Sequence, residues 1–296
     1  MRRYELTKGP WERVKSLLLP ERTGKKGRPR KSNRIMLNAM LWLVRSGAQW
    51  RELPEMYGPW QSVYSRFEKW KNDGTLETVF HALSEEADME NLSIDSTCVK
   101  VHQSSNGGEK TKDKAVGRTR GGLNTKLHAV VDNLGRPIEF LLSPGNGNDC
   151  THAVELLEQV EITESNILAD RAYGAKEIRE YISGQGASYT IPPRRNVSEP
   201  WPVDLELYKR RNVIERFFQK LKWFRRVATR YDKLDSSFLA FVYLASISIL
   251  LMYVLPPIFG VIGDGVKTYK FWVFCTLCAR TQPAAQFIIC SPFSEA

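Results

Sequence analysis

Histidine and cysteine are scarce in this chain, four and five among 296 residues. An odd, low number of cysteines does not make the disulfide framework of a small secreted scaffold. Cys275 and Cys278 form a lone CxxC with no second pair and no nearby histidine, so the ligand set of a structural zinc site is not completed. His102, His128 and His152 are scattered, and no catalytic role is assigned to them. The first residues, MRRYELTKGPWERV, have neither an apolar core nor a small-residue cleavage site. That argues against a secretory leader and for a reducing, cytoplasmic location. No internal repeat is apparent. Acid is also in short supply, with 33 Asp and Glu against 43 Lys and Arg, a net charge of +10. Such a surplus favours a polyanionic partner, nucleic acid or an acidic membrane surface.

Long uncharged runs are few, but residues 238–255, FLAFVYLASISILLMYVL, carry no charge at all. Eighteen residues is the lower limit for a bilayer span. Serines and tyrosines interrupt the run, and a helix buried against a large sheet is the preferred reading.

Residues 1–85 read as helical and basic. TKGPWERVKSLLL places Trp11, Val14, Leu17 and Leu18 on one side of a helix. GKKGRPRK follows as a Gly/Pro-punctuated charge run, and IMLNAMLWLV predicts a buried helix ending near Gly47. A short helix, a Gly-Pro turn and a helix from about Trp60 to Lys71 then give the outline of a helix-turn-helix. Trp60, Val63, Tyr64, Phe67 and Trp70 are spaced as its core face, while Gln61, Ser62, Ser65, Arg66 and Lys69 point elsewhere. A plain helical bundle accounts for the same spacing, and the two readings are compatible.

Beyond Glu90 the pattern changes. NLSIDSTCVKVHQ predicts a strand, SSNGGEKTKDKAVGRTRGG a mobile loop, and NTKLHAVVDNLGRPIEFLL a β-hairpin about DNLG. SPGNGNDCTHAVELLEQV predicts a loop capped into a helix, with Asp149 or Thr151 as the cap. NILAD is a short buried strand stopping at Asp170, AKEIREYISGQG a helix, and ASYTIPP another strand. Two long helices follow, from about Leu205 to Arg226 and from about Ser236 to Tyr253. The succession predicts a mixed α/β sheet covered by helices.

Chemistry concentrates in YKRRNVIERFFQKLK, residues 208–222, where one carboxylate sits among many bases. At about 100° per residue, Tyr208, Arg211, Glu215 and Lys222 share one face opposite the stripe of Val213, Ile214, Phe217 and Leu221. A solvated face explains that pattern equally well. Asp95, inside a predicted strand, and Asp170, at a strand end, sharpen it, because a charge in a strand is costly without a partner or a metal. If both converge with Glu215, bare carboxylates ~4 Å apart repel by about 4 kcal/mol at an effective dielectric near 20. Divalent cations relieve such a cluster, and oxygen ligands without a His/Cys set select Mg²⁺, with Mn²⁺ as its substitute. Two such ions suit in-line attack on a phosphodiester. On this reading Asp95, Asp170 and Glu215 are catalytic and metal-binding, while Arg211 and Lys222 hold phosphates.

These motifs resemble bacterial insertion-sequence transposases of the DDE type, of the insertion-sequence-five family. Their signature of Tyr, two residues, Arg, three residues, Glu, six residues and Lys is met by Tyr208, Arg211, Glu215 and Lys222. LSIDSTCVKVH, the hairpin segment, ILADRAYG and GAQWRELPEMYGPWQSVYSRFEKW are similar to the same family. The resemblance implies a small helical DNA-binding domain over 1–85 and a ribonuclease-H-like catalytic domain over 90–255. It implies Mg²⁺-dependent cleavage and strand transfer at terminal inverted repeats of double-stranded DNA. It also implies a homo-oligomer on DNA, a nucleoid-associated location, and no membrane span. Residues 256–296 match nothing expected of the family and form an atypical tail; a catalytically silent DNA-binding copy is the alternative that this tail leaves open. DNA contacts are expected from Arg28 and Arg30 in the GRP run, which is like a minor-groove AT-hook, and from Arg66, Lys69, Tyr208, Arg211 and Lys222.

Overall fold

The computed structural model describes residues 4–21, 31–105 and 115–253. Four of the sequence expectations lie outside them. These are the GRP run with Arg28 and Arg30, the loop lysines 110, 112 and 114, the CxxC pair, and the tail 256–296.

Four helices begin the described chain: α1 (Lys8–Lys15), α2 (Asn33–Ser46), α3 (Trp60–Asn72) and α4 (Thr75–Ser84). Gly47 stops α2 as expected. Its φ of +71° lies in the left-handed region, and its N–H bonds Leu43 O at 2.9 Å. Val63, Phe67 and Trp70 are buried on α3, but Tyr64, expected on the same face, is 40% exposed.

Strands β1 (Asn91–Val101), β2 (Gly117–Thr119), β3 (Gly122–Val131) and β4 (Pro137–Pro144) follow. β2 falls inside the segment read as a mobile loop; it pairs antiparallel with the start of β3 through Gly117–Asn124 and Thr119–Gly122. The β3–β4 connection has one positive φ, at Gly135 (+81°), and Asn133 does not need one. Asp132, fully buried, organises this turn by accepting from the N–H groups of Leu134 and Arg136 and from Arg136 Nε.

After a short helix α5 (Ala153–Leu157) come β5 (Asn166–Leu168), α6 (Lys176–Gly184) and β6 (Ser188–Thr190). The chain ends in α7 (Leu205–Lys209), α8 (Asn212–Leu221), α9 (Arg225–Ala228), β7 (Thr229–Arg230) and α10 (Asp235–Tyr253). The single helix expected from Leu205 to Arg226 is therefore three pieces. Through the first break the N–H groups of Arg210, Arg211, Val213 and Ile214 reach back three residues, not four, at 3.0–3.1 Å. The turn is tightened there, and the angular positions assumed for one continuous helix do not hold across it.

The seven strands form one sheet in the order β2-β3-β1-β5-β6, with β4 also on β3 and β7 also on β1. β1, β3 and β4 are antiparallel neighbours, whereas β5, β6 and β7 run parallel to β1. An antiparallel half joined to a parallel half through β1 is the ribonuclease-H-like arrangement that the resemblance implied.

Alternation along β1 divides the core in two. Leu92 and Ile94 join Val130, Leu156, Ile167 and Ile178 on one face. Val99 joins Leu127, Ala129, Val131, Phe217 and α10 on the other. That second core is continuous with the buried residues of the N-terminal helices, from Leu6 to Phe80. α10 satisfies the length and hydropathy test for a bilayer span, yet 78% of it is buried within this molecule, against α2, α3, α4, α8 and β4.

Candidate active site

β1 meets an antiparallel neighbour on one side and a parallel one on the other. β5 stops at Leu168 while β1 runs on to Val101, and the step where β5 ends beside β1 is the β1–β5 crevice. Asp95 lies on the Val99 face of β1, paired across to Ala129. On the other side Ser93 pairs with Leu168, so carrying the register two residues further sets Asp95 beside Asp170. β5 has ended by then. Asp170 caps the turn Arg171–Tyr173 by accepting from Ala172 N–H at 2.7 Å.

Burial raises the Asp95 pKa above its ordinary value, and the neighbouring Asp170 charge adds to the rise. Two contacts oppose it: the Ser96 N–H at 2.7 Å from Asp95 Oδ1 and the Arg211 guanidinium at 2.9 Å from Oδ2. Arg211 also pairs with Glu215, one turn along α8. The guanidinium thus stands between Asp95 and Glu215 and links the strand carboxylate to the helix carboxylate.

The structure brings Asp95 and Asp170 together and ties Glu215 to Asp95 through Arg211. It does not bring all three acids to one point. Among the described residues, no three His, Cys, Asp or Glu side chains are grouped closely enough to hold an ion. Glu215 is half exposed, whereas Asp95 and Arg211 retain 22% and 17% of their side-chain surface. Arg211, expected to hold phosphate, is occupied by two carboxylates. Tyr208 is half-buried, its ring 6.0 Å from the Arg211 guanidinium. Lys222 is exposed immediately after α8. Away from this crevice, Lys69 is exposed on α3, while Arg66 donates to Asn33 Oδ1 and lies over Trp70.

The donor set suits a hard divalent cation. Asp95 and Asp170 are paired, partly desolvated oxygen donors, and the local need for positive charge is met by Arg211 alone among the groups that contact Asp95 in the described residues. Asp95 and Asp170 are the residues that would hold the ion.

Asp149 corrects an expectation. Neither it nor Thr151 caps a helix by its side chain; the turn Asp149–His152 and α5 have no side-chain cap bond. Asp149 instead pairs with Lys126 of β3 at 2.7 Å and accepts from Ser96 Oγ at 2.5 Å. Burial pushes its carboxyl up, but the Lys126 and Ser96 hydrogen bonds outweigh burial and hold it below its usual range. Ser96, Lys126 and Tyr173 were missed in the sequence; the pairing of a β3 lysine with a loop aspartate has no local signal.

With this geometry in place, comparison with known proteins is decisive. The family described as "Putative transposase of IS4/5 family" matches residues 6–80, and two families described as "Transposase DDE domain" match residues 86–200 and 167–252. A Brucella ovis protein described as "Putative transposase for insertion sequence element IS6501" is 40% identical over 126 residues, 42% of this chain and 95% of that protein. The chain belongs to the IS4/5 family of DDE transposases. An uncharacterised Sinorhizobium fredii protein, y4sN, is 41% identical to the transposase over 113 residues, 38% of this chain and 90% of its own length. Among solved structures, the piggyBac transposase in a synaptic complex with hairpin DNA is similar over 81% of this chain and 70% of its own, at 10% identity and a TM-score of 0.47.

Proposed function

We propose that this transposase binds the terminal inverted repeats of its own element and carries out divalent-cation-dependent strand cleavage and transfer at the β1–β5 crevice. The juxtaposition of Asp95 and Asp170, with Glu215 linked to Asp95 by Arg211, supports this reading more than any other observation.

Asp95 enters from the middle of the sheet, where its strand is held by β3, β5 and β7, so its carboxylate is the fixed reference of the site. Asp170 is held by its own turn. Glu215 rides on α8, whose opposite face is packed through Ile214, Phe217 and Leu221. Among the described residues its carboxylate pairs with Arg211, and release of that pairing would free it to turn inward. Asp95 and Asp170, with Glu215, would hold Mg²⁺ or Mn²⁺, which would supply activation of the attacking water or 3′-hydroxyl and stabilisation of the leaving oxygen. Arg211, displaced from the acids, is then positioned with Lys222 to meet phosphate. One guanidinium offsets only part of the charge of these acids; a bound cation would offset more of it and leave the arginine for DNA.

Labelled duplexes carrying the DNA that flanks this reading frame provide the test. Wild-type protein with Mg²⁺ should nick them at a defined position, and Ala at Asp95, Asp170 or Glu215 should abolish nicking while binding persists. Nicking that survives any of these replacements would remove that acid from the mechanism. Specific binding without nicking by the wild type would instead identify a silent DNA-binding copy.

A further inference from the structure

The groups behind the catalytic face form a chain that no part of the reaction has yet used. β1 presents Asp95 to one side of the sheet and the next residue, Ser96, to the other. Ser96 is bonded in both directions. Its N–H donates to Asp95 Oδ1 at 2.7 Å, and its hydroxyl donates to Asp149 Oδ1 at 2.5 Å. Asp149 is in turn held by Lys126 Nζ at 2.7 Å, and the same ammonium donates to Gly147 O at 2.6 Å. A carboxylate on one side of the sheet is thus connected, through one residue and without a gap, to an ion pair on the other.

Tyr173 closes the space between them. It is 2% exposed, its hydroxyl makes no well-formed hydrogen bond, and it lies in the field of Asp95, Asp149 and Asp170. Burial first, and then those three negative charges, push its phenol further above its usual range. Its interaction with the Ser96 side chain opposes that rise and sets the phenol against the middle of the chain.

We propose that Asp149 is a positioning residue of the transposase: through Ser96 it fixes the orientation of the Asp95 carboxylate toward the cation, with Lys126 as its anchor. The proposal rests on the reading of Asp95 as a cation ligand. In this role Asp149 acts on Asp95 through Ser96, the residue that follows it in β1. Second-layer hydrogen-bond partners of metal ligands typically change metal affinity by about 10–100-fold when removed. The connection from Gly145 to Asn148, which leads from β4 to Asp149, is then constrained for a reason other than turning the chain.

Binding of Mn²⁺ alone, followed by the electron paramagnetic resonance of the free ion, tests this without DNA cleavage. Full-length wild type, Ser96→Ala, Asp149→Asn, Asp149→Ala and the double variant Ser96→Ala/Asp149→Ala are compared, with melting temperature as a check on folding. Asp149→Ala should weaken Mn²⁺ binding by about tenfold or more. Asp149→Asn keeps an acceptor for the Ser96 hydroxyl and should recover much of that loss. Ser96→Ala should weaken binding similarly, and the double variant should be no worse than either single one, because both break one link. Wild-type affinity in Asp149→Ala overturns the proposal. Additive losses in the double variant overturn it too, since they would make Asp149 a ligand in its own right. Asp95→Ala serves as the separate control: if it binds Mn²⁺ like wild type, the metal reading of Asp95 fails first and the positioning role falls with it. Should Asp149→Ala melt too low to be studied, Ser96→Ala against Asp149→Asn carries the comparison, with loss in the first and retention in the second expected.

Discussion

Arg211 Nη1 lies 2.9 Å from Asp95 Oδ2, and the other arm of the same guanidinium is spent on Glu215. Two of the three candidate acids therefore share one positive charge. On the proposed reading a cation would compete with Arg211 for them.

That competition is measurable as stability. Arg211→Met leaves Asp95 partly buried beside Asp170 with no cation at hand, and should cost about 2 kcal/mol in metal-free buffer. Saturating Mg²⁺ should restore most of it, while changing the wild type less. Urea midpoints with chelator and with 10-fold excess cation over its affinity give both numbers; equal losses in the two buffers would show that Arg211 is only a packing residue.

Glu139 provides a pH dependence far from the crevice. Burial first raises its pKa from 4.5 to about 7, with Glu77 adding to the rise and the Phe140 N–H opposing it. The folded chain thus retains a proton that the unfolded chain has lost, so this group's contribution falls as pH rises from 4.5 to about 7. His81, 3.7 Å away, is itself lowered by burial and does not supply a compensating charge. Glu139→Gln should raise stability at pH 8 by as much as ~3 kcal/mol and leave it unchanged below pH 4.5. Denaturant titrations at the two pH values decide it.

Gly135 faces Val213 at the start of α8. A Cβ built there would sit 3.1 Å from Val213 Cγ2, and the φ of +81° already disfavours any side chain. Gly135→Ala should cost ~1–2 kcal/mol. Because the push lands on the helix that carries Glu215, nicking should fall more than the melting temperature alone accounts for. A drop in melting temperature with unchanged nicking rate by the folded fraction would disconnect the turn from the site.

DNA affinity separates two residues of α3 that the sequence treats alike. Lys69 is exposed, so Lys69→Ala should weaken binding without lowering the melting point. Arg66 ties α3 to Asn33 and covers Trp70, so Arg66→Ala should lower both. Lys222→Ala, at the exposed end of α8, should reduce the slope of log affinity against log salt by about one unit. Filter binding across a salt series reads all three, and an unaltered slope would take Lys222 off the phosphate path.

Much of the architecture was legible because hydrophobic spacing is local. α2, α3, the hairpin, α6 and the strand carrying Asp95 all followed from apolar periodicity and turn residues. The break at Arg210–Arg211 was not, because no glycine or proline marks it; the tightened turn appears only where Arg211 is drawn to Asp95 and α8 to the sheet. The role of Asp149 was hidden for the same reason. A short polar residue ahead of a helix is a cap by local rules, and only the pairing of β3 with β1 brings Lys126 and Ser96 to it. Strand context singled out Asp95 and Asp170, and the signature spacing Glu215; neither could say that an arginine stands between two of them.

α10 is apolar around its whole circumference and fills the space between the sheet and the N-terminal helices. α2, α3 and α4 touch one another but also rest on α10, so a chain cut short before residue 235 would leave their inner faces bare to water. The last described helix to leave the ribosome is the one that closes over these early three.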